Sequence, residues 1–235
     1  MKYHAIIFDL DGTLIDSMQL WREVDTEFLG SRGIAVPTDL FEDMPHGNSF
    51  IQTATYFRNR FQLPDSVESI MQEWTDMVGQ HYASSVELKP GVREVLDFIK
   101  AEGLPLGLGT SNSRELAEKV LSQHGVWAFF SSIVTGDMHL KGKPFPDIYL
   151  QSAEQLRAAP ESCLVIEDTL TGVQAAKAAG MNVWAIHDPD SEPYREDIIN
   201  FADKHFMNYQ DMLKDLRSTL QSPDTLVTRH SSLVT

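Results

Sequence analysis

A single cysteine, Cys163, occurs in 235 residues, so no internal disulfide can form and no cysteine-based metal cluster can be built. A reducing compartment is expected. Basic residues are also scarce: Lys and Arg total 19 against 34 Asp and Glu, for a net charge of −15. That balance argues against nucleic acid and anionic membrane surfaces as partners. It also repels phosphate at long range, so a phosphorylated ligand would need a local cation to hold it. No apolar run approaches the roughly 20 residues of a membrane span. The first run, Ala5–Phe8, is too short for the core of a secretion signal, which leaves the cytoplasm as the expected location. No internal repeat is found.

The remaining composition, 42% hydrophobic and 23% charged, is that of an ordinary globular chain, long enough for one domain carrying an insertion. Short apolar runs at Ala5–Phe8, Leu104–Leu108, Ile133–Val134, Leu164–Ile166 and Val183–Ile186 each suit a buried parallel strand. Helical periodicity fills the intervals between the later four, over Val92–Ala101, Arg114–His124, Pro146–Arg157 and Thr171–Ala179. The alternation predicts an α/β fold with a doubly wound, mainly parallel Rossmann-like sheet. Between Ser17 and Leu88 there are helical patterns (Leu20–Leu29, Phe50–Arg60, Val67–Tyr82) but no strand pattern, which predicts an inserted α-helical cap. The expected organisation is a discontinuous core of residues 1–16 and 89–221 around a cap of residues 17–88. Residues 222–235 read as a candidate disordered tail. Helical patterns at Tyr194–Ala202 and Tyr209–Leu220 are expected to close the flank of the sheet.

In such sheets the working site lies beyond the carboxyl ends of the strands. After the first run comes Asp9-Leu10-Asp11-Gly12-Thr13, after the second Thr110-Ser111-Asn112, after the third Lys143-Pro144, and after the fourth Glu167-Asp168. Taken singly, each has a plain structural reading. Asp11-Gly12 could be a turn, Thr110 to Asn112 and Glu167-Asp168 helix starts, and Lys143 a surface lysine in a proline-rich loop. Taken together they converge. The four carboxylates Asp9, Asp11, Glu167 and Asp168 would repel one another without a hard divalent cation, for which Mg²⁺ is the economical choice. Lys143 is the local cation that a phosphate would require.

This ordered set of motifs resembles the haloacid dehalogenase superfamily, in the branch with a helical cap that includes β-phosphoglucomutase and small sugar phosphatases. The resemblance covers residues 3 to about 187. It implies Asp9 as nucleophile, Asp11 as general acid and base, Thr110 and Lys143 as phosphoryl binders, and Asp168 with Glu167 as Mg²⁺ ligands. Ser111 and Asn112 would add hydrogen bonds to the phosphate, and a monomer is the family default. Asp11 argues against dehalogenation, which needs only one nucleophilic carboxylate. The absence of lysine from Ser17–Leu88 argues against phosphonate hydrolysis through a cap Schiff base.

The alternative within the resemblance is phosphoryl transfer of the β-phosphoglucomutase type, whose cap carries an arginine and a histidine. The matching positions here fall on Phe50, within His46-Gly47-Asn48-Ser49-Phe50, and on Trp21. Trp21, His46, Gly47, Asn48 and Phe50 are therefore the candidate cap residues for specificity, with packing the competing role for the aromatics Trp21, Phe50 and Phe57. The expectation is a Mg²⁺-dependent phosphatase of a small phosphomonoester, acting through phospho-Asp9. A regulatory phosphoacceptor is disfavoured by Asp11, which would hydrolyse the acyl phosphate.

Overall fold

The structure is a computed structural model that describes residues 2–41 and 48–221. The tail 222–235 and the cap candidates His46 and Gly47 lie outside the described residues.

Each predicted strand is present. They are β1 (Ala5–Phe8), β2 (Leu106–Gly109), β3 (Phe130–Val134), β4 (Cys163–Glu167) and β5 (Asn182–Ile186). A further strand, β6 (Lys204–Phe206), pairs with the edge of β5, placing Lys204 opposite Trp184. The sequence reading missed it because an edge strand of Lys-His-Phe has no apolar run to betray it. All the pairings are parallel, in the order β3-β2-β1-β4-β5-β6. The chain winds outward from β1 through β2 and β3, then returns to the other side of β1 as β4. That reversal opens a crevice at the carboxyl ends of β1 and β4.

The helices α1 (Met18–Ser31), α2 (Phe50–Arg60) and α3 (Val67–Ser84) form the insertion. The sheet is flanked by α4 (Val92–Ala101), α5 (Arg114–Gln123), α6 (Asp147–Leu156), α7 (Leu170–Ala178), α8 (Arg195–Phe201) and α9 (Tyr209–Leu220). In α4 the buried residues Val92, Val95, Leu96 and Ile99 form a single stripe, the pattern that binds a helix to a sheet. In α3 the stripe is Ile70, Trp74, Val78 and Tyr82, one residue per turn. Phe28 and Phe57 pack edge-on to Trp74, with ring centroids 5.5 and 5.0 Å away. Phe57 is fully buried, so it belongs to the core of the insertion. One apolar cluster runs without a break from these residues into α4, α5, α9 and one face of the sheet. The other face packs on α6, α7 and α8 in a second cluster.

Two backbone segments join the insertion to the sheet, and they pair antiparallel through Ile15 and Leu88. Asp16 N–H donates to the Glu87 carbonyl at 3.0 Å, and Lys89 N–H donates to that of Leu14 at 2.9 Å. The insertion therefore enters and leaves through one narrow hydrogen-bonded neck. No helix among the described residues is long and apolar enough to cross a membrane.

Candidate active site

Asp9 follows β1 directly, and its N–H still donates to the Ile166 carbonyl of β4 at 3.0 Å, so the sheet fixes its direction. Gly12 then turns the chain with φ of +79°, and a Cβ there would lie 2.4 Å from Asp168 Oδ2. Both the left-handed backbone and the approach of the carboxylate require glycine. Gly12→Ala is expected to cost about 1–3 kcal/mol in urea unfolding, the scale of a strained backbone position.

Glu167 ends β4 and Asp168 follows it. Asp168 Oδ1 accepts from Thr13 Oγ1 at 2.7 Å. Lys143, in the loop before α6, is buried and donates to Asp9 Oδ1 at 2.5 Å and to Glu167 Oε1 at 2.6 Å. Asp9, Glu167 and Asp168 each present a carboxylate oxygen, all within 4.8 Å of one another. That all-oxygen set could hold a hard divalent cation. The carboxylate of Asp11, which the sequence also suggested as a ligand, is not part of this cluster, because it points to a different set of donors.

The electrostatics follow from three buried acids, two of which share one lysine. Burial pushes the Asp9 carboxyl up to about 7, with Lys143 opposing and Glu167 and Asp11 reinforcing the rise. Burial likewise holds Asp168 well above the usual carboxylate range, helped by the charges of Glu167 and Asp9. Glu167 behaves oppositely. Burial works against its charge, but Lys143, the Thr169 backbone and Tyr149 overcome this and hold it below its ordinary value. Its Oε1 accepts from Lys143 and Tyr149, and its Oε2 from Asp168 N, Thr169 N and Thr169 Oγ1. Glu167 is thus spent on anchoring Lys143 and the turn. Asp9 Oδ2 and Asp168 Oδ2 receive no hydrogen bond among the described residues, and these two carboxylates carry the raised proton affinity that a cation would relieve.

Asp11 faces the insertion. Its Oδ1 accepts from Ser17 Oγ at 2.6 Å, from Trp21 Nε1 at 3.1 Å and from the Tyr82 hydroxyl. Its Oδ2 accepts from Asn112 Nδ2 at 2.9 Å. Tyr82, at the end of α3, gives no sign of this role in the local sequence, because a buried Tyr on an apolar stripe reads as core. Removing its hydroxyl loosens Asp11 without touching Asp9 or Lys143. Tyr82→Phe is therefore expected to lower kcat about tenfold with little change in KM, measured at steady state.

The loop after β2 does more than start a helix. Ser113 is the residue that caps α5, accepting from Leu116 N–H, which frees its three predecessors. Thr110 Oγ1 accepts from Asn112 N–H at 3.0 Å, and Ser111 Oγ donates to Asn48 Oδ1 at 2.8 Å. The insertion is docked here as well: Phe50 N–H donates to the Ser111 carbonyl at 2.8 Å, and Asn48 N–H to that of Lys143 at 3.1 Å. Between the insertion and the strand ends lies a cavity of about 470 Å³. Its walls include Asp9, Asp11, Thr110, Ser111, Asn112 and Lys143, together with the cap candidates Trp21, Asn48 and Phe50.

This geometry has counterparts among known proteins. A family model described as haloacid dehalogenase-like hydrolase matches residues 6–186. The chain belongs to that family. A phosphorylated carbohydrates phosphatase from Thermotoga maritima is 32% identical over 177 residues, covering 75% of this chain and 82% of that protein. A bifunctional riboflavin kinase/FMN phosphatase from Arabidopsis thaliana is 33% identical over 184 residues, but the chain spans only 48% of its length. Among solved structures, CbbY from Rhodobacter sphaeroides in complex with phosphate superposes with a TM-score of 0.76 at 25% identity, covering 88% of this chain and 95% of that one.

In this haloacid dehalogenase-like hydrolase two more supporting residues escaped the sequence reading. Lys89 Nζ donates to the Gly12 carbonyl at 2.6 Å and to Asp188 Oδ2 at 2.8 Å, tying the neck of the insertion to the Asp9 loop. Tyr149 donates to Glu167 at 2.9 Å from inside α6. No local signal shows that α6, which packs on β2 and β3, brings Tyr149 to the end of β4.

Proposed function

We propose that this hydrolase is a Mg²⁺-dependent phosphatase of small phosphomonoesters, sugar phosphates in particular, working through an aspartyl phosphate on Asp9. The observation that carries the reading is the buried arrangement of Asp9 and Lys143 at 2.5 Å, opening on a cavity that also holds Asp11. A phosphatase of phosphorylated carbohydrates among its relatives supports the substrate class.

Asp9 would attack phosphorus, forming the Asp9–phosphorus bond as the ester phosphorus–oxygen bond breaks. A carboxylate approaching a phosphate at about 4 Å meets roughly 4 kcal/mol of repulsion per charge pair at an effective dielectric of 20. Lys143 offsets part of that, and the Thr110 hydroxyl with the Ser111 and Asn112 loop would fix the phosphoryl oxygens. Asp9 and Asp168 would hold Mg²⁺, with Glu167 supporting them. When bound, the ion would supply the remaining positive charge for phosphate and carboxylates. Asp11 would give its proton to the leaving alkoxide, then take one from the water that hydrolyses the acyl phosphate. The leaving alcohol and inorganic phosphate balance the two steps.

The phosphoryl-transfer alternative requires a second phosphate site at the far end of the cavity. Among the described lining residues the cations are Lys143, at the reacting end, and Arg22, which is paired with Asp190. That distribution favours hydrolysis of a single phosphate. The test is inorganic phosphate release from a panel of sugar phosphates and p-nitrophenyl phosphate, with Mg²⁺ and after its removal by chelation. Release that requires Mg²⁺ supports the reading, and no release from any compound would refute it.

A further inference from the structure

The reacting end of the cavity is accounted for, but the opposite wall is not. Met18, Trp21, Arg22 and Asp25 of α1 all line the cavity, at the spacing of one helical face. Trp21 is committed to Asp11 and Arg22 to Asp190, a residue of the turn after β5. Asp25 has no such commitment. Among the described residues nothing donates a hydrogen bond to it and no cation pairs with it. It shares its wall with Phe41, Phe50 and Trp74, and burial alone pushes its carboxyl up to about 7. Asp25 is half-buried, and its carboxylate is open to whatever the cavity holds, so a donor there would meet an acceptor with no partner in the protein. Thr53, from α2, brings a hydroxyl to the same wall.

We propose that Asp25 is the residue of the insertion that reads the leaving group, accepting a hydrogen bond from a hydroxyl or ammonium group on the alcohol side of the substrate. The assignment rests on the phosphatase reading above. It narrows the substrate to a monophosphate whose organic part carries such a donor, since an acidic group at this wall disfavours a second phosphate there. Asp25 takes no part in bond making; its contribution is to binding and selectivity.

The test compares kcat/KM for three compounds: sorbitol 6-phosphate, which offers hydroxyls, phosphoethanolamine, which offers an ammonium, and p-nitrophenyl phosphate, which offers no donor. Asp25→Ala is expected to lower the ratio of the preferred donor-bearing compound to p-nitrophenyl phosphate about tenfold or more, mainly through KM. Asp25→Asn separates the two donors. It keeps an accepting oxygen but no charge, so selectivity for a hydroxyl is largely retained whereas selectivity for an ammonium falls as far as with Ala. Asn is also close in size and uncharged at a position where burial opposes charge, so the fold is retained. A ratio within about twofold of wild type in Asp25→Ala, including a parallel loss on all compounds, would overturn the assignment. So would a wild type that hydrolyses p-nitrophenyl phosphate but neither donor-bearing compound, with the phosphatase reading left standing. A wild type inactive on all three would refute that reading, and Asp25 would fall with it.

Discussion

Asp9→Asn is expected to abolish phosphate release, lowering kcat on the order of 10³-fold or more, because an amide cannot form the proposed aspartyl phosphate and no neighbouring group replaces it. The same variant should be at least as stable as the wild type at pH 8. The Asp9 carboxyl is raised from 3.8 to about 7 in the fold, chiefly by burial. A carboxyl whose folded value exceeds its unfolded one keeps its proton longer in the native state. It therefore destabilises progressively as pH rises between those two values. Metal-free wild type should lose stability across that window, and Asp9→Asn should lose less. Urea midpoints at pH 5 and pH 8, without divalent ions, check this. An inactive variant with an unchanged or raised midpoint locates the loss in chemistry, whereas a variant that retained phosphate release would remove Asp9 from the mechanism.

Lys143→Met is expected to have the largest effect on stability. Lys143 is 3% exposed and is the shared partner of Asp9 and Glu167, both buried. Removing one partner of a buried ion pair leaves uncompensated charge and costs about 3–5 kcal/mol. Here two carboxylates would lose their cation at once, although Glu167 keeps its bonds from Tyr149, Asp168 and Thr169. The pH dependence has a definite sign. Without Lys143 the folded Asp9 carboxyl rises further above its unfolded value and Glu167 loses the charge that holds its own below, so the deficit should be small at pH 5 and grow toward pH 8. Chemical unfolding at both pH values reads it. A deficit that did not change with pH would mean that Lys143 contributes packing rather than charge compensation. Phosphate release should also fall sharply, since the approach of Asp9 to a phosphate would then be opposed without the lysine.

The electrostatic ledger of the site explains why these two residues dominate. Asp9 and Glu167 share one ammonium with Asp168 beside them, and the fold tolerates this by saturating Glu167 with hydrogen bonds and leaving Asp9 and Asp168 with raised proton affinity. Acids so arranged in a cleft are a recurrent sign of a working site. The same reasoning singles out Asp25, the other cavity-lining carboxyl pushed to about 7.

The sequence alone determined the parallel sheet, the helical insertion and the residues that follow each strand. Apolar runs such as Ala5–Phe8 and Leu164–Ile166 can be satisfied only by burial on both faces, and strand ends in such sheets share one edge. Asp9, Lys143, Glu167 and Asp168 were legible for that reason, as were the stripe of α4 and the extent of α2. The edge strand β6 was not, because Lys204 and His205 carry no burial pattern. Tertiary structure alone decided which acids meet. Asp9 and Asp11 lie two residues apart, yet one turns to Lys143 and the other to Tyr82, Trp21 and Asn112. It also decided that Tyr82, Lys89 and Tyr149 hold the site, and that Asp25 lines the cavity. Periodicity reports whether a side chain is buried, but a hydrogen bond between residues 71 positions apart, such as that from Tyr82 to Asp11, depends on how the insertion folds back over the strand ends. No local pattern encodes that path.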